Sequence, residues 1–88
     1  MKFKIGDIVN LIDNSAEKYV VAKSRFENLT KDNLRILTAK TNILGLKEKT
    51  SEIELGNFDY LLIQSVPNPF PKEIEIPNYK LVSLDDLQ

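Results

Sequence analysis

The sequence predicts an all-β fold, and three observations carry that prediction. Apolar residues fall in short alternating or continuous runs, Asn, Asp, Gly and Pro bound those runs, and two of the breaks contain residues that bond back to their own backbone. The runs place strands at residues 8–13, 18–24, 34–40, 51–55, 59–65, 73–76 and 80–83.

The first strand follows Gly6-Asp7, a pair suited to a tight turn that aims the chain, and Val9 and Leu11 fall on one side of the pleat. Phe3 and Ile5, just before the turn, are placed to cover the end of a small barrel. Asp13-Asn14-Ser15 reads as the loop into the second strand, and Lys31-Asp32-Asn33 as a later one. Leu34-Arg35-Ile36-Leu37-Thr38 contains two β-branched residues and reads as strand. Phe26, Leu29, Asn33 and Leu37 also stand at near-helical spacing, which leaves a helix from Thr30 as the alternative. Residues 43–56 read as a hairpin elaboration. The stretch Glu52-Ile53-Glu54-Leu55-Gly56-Asn57-Phe58 recurs 21 positions later as Glu73-Ile74-Glu75-Ile76-Pro77-Asn78-Tyr79, so both copies read strand, turn, strand, with isoleucines inward and glutamates in water. Residues 66–71, Val-Pro-Asn-Pro-Phe-Pro, cannot feed a sheet ladder and form an extended connection.

Composition limits the chemistry. At 88 residues the chain suits one domain, spanning 1–88, that buries roughly two thirds of its unfolded surface. It has no Cys and no His, which excludes disulfides, thiolate or imidazole metal sites and Cys-His nucleophiles. Only carboxylates and carbonyls remain for a hard cation, and we expect neither a metal nor a cofactor. No apolar run reaches the ~18 residues of a membrane span, and no apolar signal segment follows the start, so a cytoplasmic protein with no membrane partner is expected. The net charge of −1 conceals a split: residues 1–50 carry ten Lys/Arg against six Asp/Glu, and residues 51–88 carry two against seven.

Phe3, Gly6, Asp7 and Val9 form an F-x-x-G-D-x-V opening that resembles small bacterial SH3-like β-barrel proteins of unassigned role and KOW or Tudor-type modules. Lys18-Tyr19-Val20-Val21 resembles the second strand of such barrels, and residues 79–87 resemble their closing strand and final turn. The resemblance implies an SH3-like barrel of five or more antiparallel strands, and it implies fold rather than activity. Where KOW barrels carry a glycine after the first strand, this chain has the acidic loop of residues 13–17, which repels phosphate. The core expected of the barrel is Val9, Leu11, Val20, Ala22, Ile36, Leu61, Ile63, Leu81 and Leu84.

These readings favour a non-enzymatic protein-interaction module that contacts another protein through Tyr19, Phe26, Phe70 and Tyr79. The alternative is a nucleic-acid-binding domain using Lys18, Lys23, Arg25, Lys31, Arg35 and Lys40, which flank Tyr19 and Phe26 in the pattern of phosphate neutralisation and base stacking. A sequence pI near 5.4 weighs against it. An enzyme is not expected, because the three glycines stand far apart and neither a nucleophile elbow nor a phosphate-cradling loop is present.

Overall fold

A computed structural model describes residues 3–41, 43, 45–64 and 79–87. The fold is mixed α/β, with the order β1 (Ile8–Leu11), β2 (Asn14–Ser24), α1 (Lys31–Thr41), α2 (Leu46–Ser51), β3 (Tyr60–Gln64) and β4 (Tyr79–Val82), then a single 3-10 turn at Leu84–Asp86. The strands form one antiparallel sheet in the order β1-β2-β3-β4. This overturns the expected all-β, SH3-like barrel of five or more strands: among the described residues the sheet has four strands, two helices interrupt it, and it does not close. Among the described residues the C-terminal segment reaches β1 through an isolated bridge between Leu11 and Leu87 and a bond from the Ile12 N–H to the Asp86 carbonyl.

β3 is the centre of the molecule. Side chains alternate along a strand, so Tyr60 and Leu62 face one side of the sheet and Leu61 and Ile63 the other, yet all four are fully buried. Burying each large apolar side chain is worth about 1.5–3 kcal/mol, so this strand needs cover on both faces. Around Tyr60 that cover is aromatic, with the Phe3 and Phe26 rings edge-on at centroid distances of 6.2 and 5.8 Å. The Tyr60 hydroxyl is itself satisfied by the Phe3 N–H at 3.0 Å. On the other side, the register sets Lys23 beside Leu61, and the Lys23 ammonium donates to the Thr50 and Ile53 carbonyls at the end of α2. That bond ties α2 to the Leu61 side. A register shift between Val21 and Lys23 gives β2 the extra residue that a bulge needs.

The segment read as strand at 34–40 is helix, and its start explains why. Thr30 Oγ1 accepts the Asn33 N–H at 3.1 Å, while Asn33 Oδ1 accepts the Thr30 N–H at 3.2 Å. This reciprocal cap satisfies donors that a helix start would otherwise orphan. Asp32 in the first turn and Lys40 in the last complement the helix dipole. Leu34, Leu37 and Thr41 then lie along one side; Leu37 and Thr41 are buried and Leu34 is half-buried. Ile36, expected in the core, points elsewhere and is 43% exposed.

Gly6 connects α1 to the sheet. It has φ +98°, a region that favours glycine, and a Cβ there would lie 3.1 Å from Ile36 Cγ2. Its carbonyl accepts the Lys40 ammonium, and its N–H donates to Val21, which carries the β1–β2 pairing past Ile8. Phe3 and Ile5 pack on the core, with Ile5 4% exposed, but among the described residues there is no barrel end for them to cover.

The expected strand at 51–55 is also absent. Those residues end α2 and continue as a loop in which Ile53 and Leu55 pack against the core while side-chain cations, instead of a neighbouring strand, satisfy carbonyls. Lys23 takes Ile53, and Arg25 takes Gly56 and Phe58. Of the remaining expected core, Val9, Val20, Ala22, Leu61 and Ile63 are buried, and Leu11, Leu81 and Leu84 pack half-buried against them. The first hairpin is tighter than read, because Asn14 and Ser15 belong to β2. The connection at 66–71 and the strand at 73–76 lie outside the described residues.

If α1 is oriented as described, Leu37→Ala removes a fully buried side chain from beneath the helix and costs about 2–5 kcal/mol, whereas Ile36→Ala costs less than about 1 kcal/mol. Urea unfolding of the two variants checks this. The reverse order of stabilities would return this segment to the strand reading.

Candidate functional site

Three of the six cations expected to contact phosphate are bound internally. Lys23 caps the end of α2 at 2.6 Å from the Ile53 carbonyl. Arg25 clamps the turn before β3 through the Gly56 and Phe58 carbonyls and lies 3.7 Å from Asp59, whose other carboxylate oxygen accepts the Leu84 N–H. Lys40 reaches back to Gly6. Each donates to backbone carbonyls in loops or at a helix end, which is a fold-holding role.

Lys18, Lys31 and Arg35 are exposed, but they do not form one patch. Lys18 stands on β2 opposite Asn10. Lys31 and Arg35 are one helical turn apart on the outer side of α1, where neither side chain makes a bond to a described residue.

The expected contact aromatics are likewise dispersed. Tyr19 is 1% exposed; its hydroxyl donates to Glu17 Oε2 at 2.7 Å, and the Lys80 ammonium lies over its ring at 5.7 Å. Phe26 is 41% exposed but leans edge-on against Tyr60. Tyr79 is 47% exposed and pairs with Ile63, whereas Tyr60 pairs with Val82, so Phe26 and Tyr79 sit at opposite ends of β3, roughly 10 Å apart along the strand. Phe70 lies outside the described residues.

The residues that do converge lie on α1 and α2. An open depression of about 460 Å³ is lined by Lys31, Leu34, Arg35, Thr38 and Ala39. A second, of about 220 Å³, shares Lys31 and Leu34 with it and adds Leu29, Thr30 and Lys47. A third, of about 340 Å³, shares Leu29 and Lys47 and runs on past Glu27 and Thr50 to β2. The shared walls make them one groove. Its floor is apolar, since Leu34 and Leu29 are half-buried and the Thr38 hydroxyl is turned into its own helix, donating to the Leu34 carbonyl at 2.9 Å. The side chains of Lys31, Arg35 and Lys47 stand along it with no bond to a described residue. Glu27 is the carboxylate in the lining, at the β2 end, where Oε1 accepts the Ile5 N–H.

Sequence reasoning passed over Lys47, Leu29 and Leu34 as site residues. The signal was the spacing 31, 34, 35, 38, which a helix turns to one side and a strand divides between two. Among the described residues, no group of three or more Asp or Glu converges as a metal site, and no helix is long and apolar enough to cross a membrane. Compared with known proteins, the chain matches no family model, and no curated protein or solved structure matches it significantly.

The Tyr19 phenol is pushed up to about 12, first by its bond to Glu17, then by burial, then by the like charge that its ionisation would set beside that carboxylate. The folded state therefore holds the neutral phenol more tightly than the unfolded state does. That contribution is intact below the unfolded value of about 10 and is lost as pH rises from there through about 12. Glu17→Gln should move the Tyr19 ring-carbon NMR titration down toward about 10, and an unmoved midpoint would mean that Glu17 does not hold the phenol.

Proposed function

We propose that this chain is a non-enzymatic protein-interaction module whose contact face is the outer side of α1 and α2. The observation that carries the reading is the groove at Lys31, Leu34 and Arg35, where an apolar floor lies open between cations that hold nothing of their own fold. Elsewhere the described cations Lys23, Arg25 and Lys40 are committed to backbone carbonyls. Leaving Leu34 half-open beside unpaired charges gains the isolated domain nothing in stability. It gives a partner an apolar seat with a charged rim, the common plan of protein interfaces.

Nucleic acid is the weaker reading. Of the groove's four lining cations Lys23 is already bonded to backbone carbonyls, and there is no ring among its lining residues on which a base could stack. Binding through the dispersed aromatics is also weaker, because Tyr19 is enclosed and Phe26 and Tyr79 do not share a surface.

Selection of a random displayed-peptide library on the immobilised protein tests the proposal. Peptides should enrich on the native chain and lose at least about tenfold in affinity, or about 1.4 kcal/mol, on the double variant K31E/R35E. That variant should keep its stability to within about 0.5 kcal/mol, since both side chains are exposed. Enriched peptides that bind native and variant equally would place the contact face elsewhere, and no enrichment would contradict the module reading itself.

A further inference from the structure

From the shape and charge of the groove we infer its occupant: an extended, acidic segment of a partner protein that alternates carboxylates with branched apolar side chains. The inference rests on the interaction reading and goes further by naming the partner's chemistry.

Shape argues for an extended chain. The three depressions join end to end through shared pairs of lining residues, Lys31 with Leu34 and then Leu29 with Lys47, so the surface is an elongated track rather than a single bowl. From Lys31 to Ala39 alone it follows α1 for ~12 Å, a length that about four extended residues span. A small compact ligand would leave most of it empty. An extended strand presents side chains alternately to two sides, so one set can lie on Leu29 and Leu34 while the other meets the cations on the rim.

Charge argues for an acidic segment. Lys31, Arg35 and Lys47 mark successive points along the track, and none of their side chains makes a bond to a described residue. Asp32 and Glu48 are exposed neighbours on the same helices but do not line it. At the β2 end the Glu27 carboxylate stands with Lys23, whose ammonium is already bonded to the Thr50 and Ile53 carbonyls, so the unpaired positive charge belongs to the α1–α2 length and falls away toward β2. This sets a polarity: carboxylates should bind along α1, and a neutral or basic end should lie toward Glu27. Rim charges of this kind steer encounter and fix register, and they act more weakly in salt.

The test is an amide-resolved NMR titration of the full chain with four defined probes. These are a peptide alternating Glu with Leu or Ile, its charge-reversed form with Lys for Glu, a form with Ser for each apolar residue, and single-stranded oligo-dT. The acidic apolar peptide should shift Leu29, Leu34, Ala39 and Lys47 and bind at least about tenfold more tightly than either altered peptide. Its affinity should fall with added salt, and K47E should weaken it about tenfold while leaving the melting curve in place. Equal binding of the charge-reversed or serine peptide in the groove would overturn the acidic apolar partner yet leave the interaction module standing. Groove shifts with oligo-dT alone would overturn both. Silence from every probe would overturn this inference, whereas the interaction reading stands or falls by the library selection.

Discussion

The structure depends on burying both faces of a single five-residue strand. Tyr60, Leu61, Leu62 and Ile63 are consecutive, large and fully enclosed. A lone sheet in a chain of this size can leave one face wet, but one with a doubly buried centre cannot. Cover therefore has to come from the rest of the chain: β2 and β4 flank β3 in the sheet, Phe3 and Phe26 pack on Tyr60, and α2 is tied to the Leu61 side. The helices are consequences of that need. At 11 residues α1 is too short to persist alone in water, so it depends on the packing of Leu37 and on its attachment to Gly6.

Covering β3 with helices and loops instead of more strands leaves backbone carbonyls without ladder partners, and the chain meets this with long cationic side chains. Lys23, Arg25 and Lys40 each cross to a carbonyl distant in sequence, on Ile53, Phe58 and Gly6. Among the described residues no buried side-chain polar atom lacks a partner. The same arrangement separates two kinds of cation that composition alone cannot distinguish. Those bonded to backbone carbonyls hold the fold, and the side chains of Lys31, Arg35 and Lys47 on the outer sides of α1 and α2 make no such bond.

How much of this was legible follows from the range of each signal. β1, β2, β3 and β4 were readable because alternation and continuous apolar runs are local patterns, and Val9, Val20 and Leu61 sit where those patterns put them. α1 was misread because Leu34-Arg35-Ile36-Leu37-Thr38 satisfies strand propensity, while the deciding feature is a Thr30–Asn33 cap in which Asn stands where the usual box has Glu or Gln. Propensity is a weak prior beside a satisfied cap and a buried side. The strand at 51–55 failed for a non-local reason: Lys23 takes the Ile53 carbonyl, and Arg25 takes those of Gly56 and Phe58 just beyond, each some 30 residues away. The groove was hidden for the same cause, since Lys31, Leu34 and Arg35 share a side only once that segment is helical. The roles of Lys23, Arg25 and Lys40 required knowing what lay opposite them.

Native-state amide hydrogen exchange tests the dependence on β3 most directly. The account predicts that the amides of Tyr60–Gln64 exchange only through global unfolding and are the slowest in the molecule, with β1 and β4 at the sheet's ends opening sooner. If β3 exchanged as fast as those outer strands, or opened while α1 stayed protected, the doubly buried strand would not be what the rest of the structure rests on.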